Sequence, residues 1–189
     1  LPGDPTFSLD RQRIEIEAWL SAYFGFPVEL TKNNEAGFPD DTESPGLTII
    51  SVATLKEIAR WFSLPLEEVR TRFRTNIEID GAPPFWEDRL FGKADRSIVF
   101  EIGETRFEGI NPCQRCVVPS RDPVFGTTDK MFVQRFMEQR RESLPAWSER
   151  SRFNHFYRVA VNTRLLGDAG IVRAGDPVRL FNSCGFAGV

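Results

Sequence analysis

The sequence predicts an α+β fold, a β-barrel-like mixed sheet decorated by helices. Apolar residues recur at helical spacing in the first third of the chain. From Phe73 onward the pattern changes to period two, cut by Gly, Pro and Asp turns. One helical stretch, Lys130 to Arg141, interrupts those strands. At 189 residues the chain has room for one domain with a real core. Its boundaries read as a tail or linker at 1–9, a domain over 10–181 and a C-terminal tail at 182–189.

The first helix follows from Ile16, Trp19, Leu20, Tyr23 and Phe24, with Asp10 as the expected N-cap and Gly25 and Pro27 as the stop. Val28 to Thr31 reads as a short strand. Residues 33–46 are polar and turn-rich, so they form a loop, either a connector or a ligand-contacting segment. Leu47 to Ile50 is a strand. Ser51 to Phe62 is amphipathic, with Leu55, Ile58, Ala59 and Phe62 on one face and Thr54 and Glu57 at capping-box spacing. Pro65 opens a second helix through about Arg72.

Strands are then expected at Phe73, 76–79, 98–102, 105–107 and 115–118. The helix at 130–141 turns Phe132, Val133, Phe136 and Met137 inward. A strand at 156–162 follows. Asp168 and Gly170 mark a turn, and Ile171-Val172 and Pro177 to Leu180 flank the Ala-Gly-Asp turn at 174–176.

Composition narrows the chemistry. The net charge of −3 excludes a generally basic nucleic-acid footprint. With only His155 as histidine, a multi-histidine metal site and any two-histidine mechanism are ruled out. Three cysteines, Cys113, Cys116 and Cys184, are too few for a disulfide scaffold and point to a reducing, cytoplasmic setting. No apolar run approaches the roughly 18 residues a membrane helix needs, and no signal peptide is visible. Of 24 basic residues only four are Lys, namely Lys32, Lys56, Lys93 and Lys130. That bias suits either a GC-rich coding sequence or the bidentate grip of anions that Arg provides.

The strongest local signal is Asn111-Pro-Cys-Gln-Arg-Cys116, followed by Val-Val-Pro-Ser-Arg-Asp-Pro-Val-Phe-Gly126. A zinc site would need four ligands, and only His155 and Cys184 remain to complete one. A thioredoxin-type redox pair wants Cys-x-x-Cys at a helix N-terminus, whereas this pair leads into a strand-like Val-Val-Pro. Inert buried cysteines leave Arg115 and the Asn-Pro turn unexplained. The fourth reading is a single soft thiolate ligand beside an anion grip. On a strand, Arg115 would need a bulge or a strand start to share a site with Cys116.

Phe73-Arg-Thr-Asn-Ile77, Pro84-Phe-Trp-Glu-Asp88, Cys113-Gln-Arg-Cys116, Asp122-Pro-Val-Phe-Gly126 and Arg173-Ala-Gly-Asp-Pro-Val178 together resemble the MOSC domain. That is the C-terminal domain of molybdenum-cofactor sulfurases. The nearer resemblance is to the mitochondrial amidoxime-reducing component and its bacterial relatives, over roughly residues 10–181. The resemblance implies a molybdenum cofactor (Mo-molybdopterin), with Cys116 as metal ligand and catalytic residue and Arg115 as a cofactor contact. The family's Arg-Pro-Asn motif reads Arg74-Thr75-Asn76 here, so Arg74 and Asn76 are implied as contacts to the cofactor phosphate and pterin. Asp41-Thr-Glu-Ser-Pro45 resembles the family's small polar cofactor loop, which makes Ser44 a candidate and Thr42 another.

Such a cofactor brings its own sulfurs and its own anionic load, so one protein thiolate and two arginines suffice. The implied activity is that of an oxidoreductase reducing N-hydroxylated or N-oxide substrates by oxygen-atom transfer. An external electron-donor protein, a flavin or iron–sulfur reductase, would supply the electrons. The alternative is a cofactor carrier or sulfur-transfer module that acts with a cysteine desulfurase through a persulfide on Cys116. No nucleic acid and no membrane span are expected. Glu87 and Asp88 read as a solvated or turn-capping acidic pair rather than paired catalytic carboxylates, His155 as a surface or strand-start residue rather than a proton donor, Cys184 as peripheral and Arg140-Arg141 as a solvated helix end.

Overall fold

The computed structural model describes residues 5–33, 42, 44–168, 170–182 and 185–188. Most of the expected loop at 33–46 and the cysteine Cys184 lie outside the described residues. The chain divides into two compact units, Leu1–Asp40 and Asp41–Val189.

In the first unit α1 runs Arg13–Phe24 and ends at Gly25, whose φ of 76° gives the left-handed turn that closes the helix on the Ser21 carbonyl. Its N-cap is Gln12, with no side-chain cap, so Asp10 does not cap it. Val28 to Thr31 is not a strand. Its amides are taken up by helix side chains instead: Val28 N donates to Ser21 Oγ at 2.8 Å and Leu30 N to Glu17 Oε1 at 2.9 Å. With the ladder bonds replaced locally, the extended segment has no need of a partner strand.

The second unit is α+β, built on a curled, half-barrel-like mixed sheet. Its strands are β1 (Thr48–Ser51), β2 (Ile77–Ile79), β3 (Ile98–Ile102), β4 (Thr105–Gln114), β5 (Arg158–Leu166), β6 (Val178–Asn182) and β7 (Gly185–Gly188). Their spatial order is β2-β1-β5-β4-β3-β6-β7. Among the described residues only β1 and β2 pair in parallel. They are joined by the crossover of α2 (Val52–Phe62) and α3 (Leu66–Phe73); α4 (Phe132–Glu142) lies between β4 and β5 in the chain.

Strand alternation feeds two cores. Ile49 packs with Phe100, Phe107 and Val161, whereas its neighbour Ile50 packs with Leu55, Phe73 and Phe136. Both faces of β1 are therefore buried, as the continuous apolar Ile49-Ile50 pair requires.

Several local expectations are corrected. The cap of α2 is Ser51, whose Oγ accepts from Thr54 N at 3.0 Å. Thr54 is therefore inside the helix, and Glu57 holds Arg60 and Trp61 instead of a cap. Phe73 is the last residue of α3, not the first of a strand. Ile171-Val172 lies outside any strand.

The acidic pair is not solvated. Glu87 and Asp88 are each 1 % exposed, on the 3-10 turn Trp86–Leu90. Nor is Arg140 a solvated helix end. It is fully buried between the rings of Phe85 and Phe153, 4.1 and 4.9 Å from their centroids, and pairs with Asp88 Oδ2 at 2.5 Å. A helical periodicity of 3.6 puts Arg140 on the same face as Phe136, which carries its charge into the core. No helix among the described residues is long and apolar enough to cross a membrane.

Candidate functional site

Two bulges shape the strand that leads to the Cys-x-x-Cys motif. Between Gly109↔Thr163 and Asn111↔Asn162 an extra residue, Ile110, is inserted on β4. Between Pro112↔Val161 and Gln114↔Arg158 the extra residue is on β5, where Ala160 sits at φ 68°. The first bulge sets Asn111 against Asn162, whose Nδ2 donates to Asn111 Oδ1 at 3.1 Å.

β4 ends at Gln114, so the expected strand at Arg115 to Val118 does not form. Arg115 and Cys116 lie just beyond the strand end, where alternation no longer forces their side chains apart. The 3-10 turn Val118–Ser120 follows, because Pro119 cannot donate to a ladder.

The loop carrying Cys116 is pinned on both sides by the end of α3. Before it, Arg115 Nη2 donates to the Phe73 carbonyl, the guanidinium lies 5.4 Å from the Phe73 ring centroid, and Nη1 reaches Cys113 Sγ at 3.4 Å. After it, the buried Arg72 donates from Nη1 to the carbonyls of Pro119 and Arg121, at 2.9 and 2.5 Å. Cys116 is left exposed between these anchors, and Cys113 is half-buried; both are free thiols.

The same end of α3 presents Arg74 as its left-handed C-cap, φ 47°, with an exposed guanidinium that has no partner among the described residues. Two residues on, Asn76 Oδ1 accepts from Thr48 N at 2.8 Å and from Thr48 Oγ1 at 2.9 Å, which leaves its Nδ2 as the outward donor. Arg74, Asn76, Arg115 and Cys116 are thus assembled around one helix terminus.

Ser44 is buried, and its Oγ accepts from Asn111 Nδ2 at 3.5 Å. Thr163 secures this segment: its carbonyl accepts from Gly46 N, and its hydroxyl donates to the Leu47 carbonyl. A Cβ at Gly46 would stand 2.4 Å from that Thr163 oxygen, so only glycine allows the approach. Ser44 therefore joins a polar row with Asn111 and Asn162. Thr42 is exposed.

Asn111 stands in the motif, but its pairing with Asn162 is set by strand register. Asn162, Thr48 and Tyr157 carry no mark in the sequence. Tyr157 accepts from Arg115 N at 3.1 Å through its carbonyl, and its ring stands edge-on to Phe136 at 5.3 Å. Burial pushes its phenol up to about 12. The Arg115 charge opposes that shift and Cys116 adds to it. The Tyr157 hydroxyl and Arg115 Nε are buried without any hydrogen-bond partner.

His155 is half-buried, and its Nδ1 accepts from Tyr157 N at 3.2 Å. Burial and the Arg158 charge hold its pKa below the usual value. No cluster of three His, Cys, Asp or Glu that could hold a metal occurs among the described residues.

The site thus offers one exposed thiol, a free guanidinium, an outward amide and two unsatisfied buried donors. Such a donor set suits an anionic group that supplies its own metal ligands.

The MOSC domain family matches residues 43–179. Similar proteins include the molybdenum cofactor sulfurase of Caenorhabditis elegans, 30 % identical over 106 residues that cover 56 % of this chain and 14 % of that protein. The molybdenum cofactor sulfurase of Caenorhabditis briggsae is 29 % identical over 139 residues, 74 % of this chain and 17 % of that protein. The Homo sapiens molybdenum cofactor sulfurase is 25 % identical over 154 residues, 67 % of this chain and 17 % of that protein. The match therefore spans only 14–17 % of the length of these relatives.

Proposed function

The chain belongs to the MOSC domain family, and from that premise we propose that it holds molybdenum cofactor at the end of α3. Cys116 is the thiolate ligand of the metal. Arg74 and Arg115 hold the anionic parts, Asn76 meets the pterin edge, and Ser44, with Thr42 at the rim, closes the polar side. The observation that carries this reading is the assembly of an exposed Cys116, an unpartnered Arg74 and two unsatisfied buried donors around one helix terminus. The relatives' name, molybdenum cofactor sulfurase, supports the choice of cofactor.

When bound, the cofactor supplies oxygen-atom transfer at its metal. The chain's own residues anchor it, neutralise its charge and leave one face of Cys116 open. We propose that the reaction is reduction of N-hydroxylated or N-oxide substrates. The electrons come from an external flavin or iron–sulfur reductase.

A second reading is favoured by the exposure of Cys116 and by the sulfurase relatives. Here the Cys116 thiolate attacks the terminal sulfur of a desulfurase persulfide. A new S–S bond forms on Cys116 and the desulfurase thiolate leaves. Both readings suit a cytoplasmic setting, where the two thiols stay reduced.

One experiment separates them. The protein, loaded with cofactor, is assayed for amidoxime reduction with an artificial electron donor. In parallel it is incubated with cysteine and a cysteine desulfurase and weighed by mass spectrometry. Turnover without a mass gain supports the reductase. A gain of one sulfur on Cys116 without turnover supports the carrier.

A further inference from the structure

We propose that the Tyr157 hydroxyl, together with Arg115 Nε, donates to an anionic oxygen or sulfur of the group held at Cys116, making Tyr157 a binding residue of that site. This rests on the cofactor reading above. Tyr157 is 6 % exposed, and its hydroxyl meets no partner in the fold. A buried donor without an acceptor is costly, and folded proteins rarely keep one without a use.

Packing alone does not call for the hydroxyl. A phenylalanine would make the same edge-on contact with Phe136 and fill the same place beside Phe73.

Location supports the assignment. Six buried side-chain atoms among the described residues are unsatisfied. Two of them, Glu87 Oε1 and Arg140 Nη1, belong to the charge cluster around Asp88, and Thr105 Oγ1 and Ser143 Oγ lie elsewhere. The remaining two are on residues joined by the main-chain bond from Arg115 N to the Tyr157 carbonyl, and Arg115 directly precedes Cys116.

The two donors also differ from the rest of the cradle. Arg115 uses one N–H of Nη1 on Cys113 and one of Nη2 on Phe73, and its Nε is the buried nitrogen that meets no partner in the fold. Arg74 and Asn76 are exposed and suited to the outer, solvated parts of an anion. The buried pair is suited to atoms shielded from water, where a hydrogen bond to a charged acceptor is strongest. The occupant is therefore an anion with at least one acceptor atom close to the Cys116 sulfur.

The test compares wild type with Tyr157→Phe, both produced with cofactor supply and then dialysed. Molybdenum is followed by elemental analysis and pterin by fluorescence after oxidation. Both quantities are expected to leave the variant about ten-fold faster or more, as loss of one hydrogen bond to a charged group implies. Without cofactor the variant is expected to unfold at the wild-type temperature or higher, because the hydroxyl bonds to nothing in the fold and its removal relieves an unmet buried donor.

Equal retention by loaded wild type and variant overturns the Tyr157 assignment and leaves the cofactor reading standing. A cofactor-free variant that melts several degrees lower also overturns it, by showing that the hydroxyl is satisfied internally. Wild type that takes up neither molybdenum nor pterin overturns the cofactor reading, and this inference with it.

Discussion

Arg115 lies over the Phe73 ring, 5.4 Å from its centroid, and donates from Nη2 to the Phe73 carbonyl. That contact joins the Cys-x-x-Cys loop to the end of α3, and so joins Cys116 to Arg74 and Asn76. A planar fork is needed, because Nη1 must reach Cys113 at the same time. Arg115→Lys keeps the charge but offers a single point donor. The variant is expected to fold, to melt a few degrees lower and to lose bound molybdenum about ten-fold faster. Calorimetry and elemental analysis after dialysis check both parts.

Asn76 separates a structural role from a binding role within one side chain. Its Oδ1 clasps Thr48, while its Nδ2 faces outward. Asn76→Asp keeps the acceptor and replaces the donor with negative charge. The expected result is a melting temperature within a few degrees of wild type and a marked loss of retained pterin, since a carboxylate repels an anionic ligand. An equal loss from Asn76→Ala with a lower melting temperature would show the clasp failing as well.

The buried pair of Arg140 and Asp88 is a stability element away from the site. Arg140→Met leaves the Asp88 carboxylate in the core with only the Ser148 hydroxyl to meet it. The cost is expected to be about 3–5 kcal/mol in urea unfolding. Adding Asp88→Asn removes the stranded charge, so the double variant is expected to be less destabilised than the sum of the singles.

Glu87 gives the fold a pH dependence. Burial, with Asp88 beside it, pushes its carboxyl up to about 7 from an ordinary 4.5. A raised folded-state value means that the folded protein holds the proton more tightly than the unfolded chain. The stabilising contribution of the protonated form is therefore complete below 4.5 and is lost as pH rises through about 7. Glu87→Gln stays neutral throughout. Its melting temperature relative to wild type is expected to become more positive from pH 5 to pH 8, as thermal unfolding across that range would show.

Much of this was legible in the sequence, for reasons tied to particular residues. The Leu55, Ile58 and Phe62 stripe sits on α2, and Pro65 stands at the N-cap of α3. Ile98 to Ile102 alternates as β3. The helix around Phe132 and Phe136 forms with those rings inside. In these segments local pattern and tertiary packing agree.

Sequence reading failed where a side chain does the work of a backbone, or the reverse. Val28 to Thr31 looks like a strand, but Ser21 and Glu17 satisfy it. Arg140 looks solvated because its partner Asp88 is 52 positions away. Arg115 to Val118 alternates like a strand, yet β4 has already ended after its bulges, and no composition signal marks a bulge. At the site, Cys116, Arg115, Arg74 and Asn76 follow from the family resemblance that their motifs carry. Asn111, Asn162 and Tyr157 depend on register across β4 and β5, which one sequence does not state.

The central claim is that Cys116 is the protein thiolate of a molybdenum site. It is tested most directly by producing wild type and Cys116→Ser with cofactor supply and measuring molybdenum and pterin per chain. Near-stoichiometric molybdenum is expected in wild type and a large loss in the variant, with both proteins folded. Equal, near-stoichiometric molybdenum in the two would contradict it.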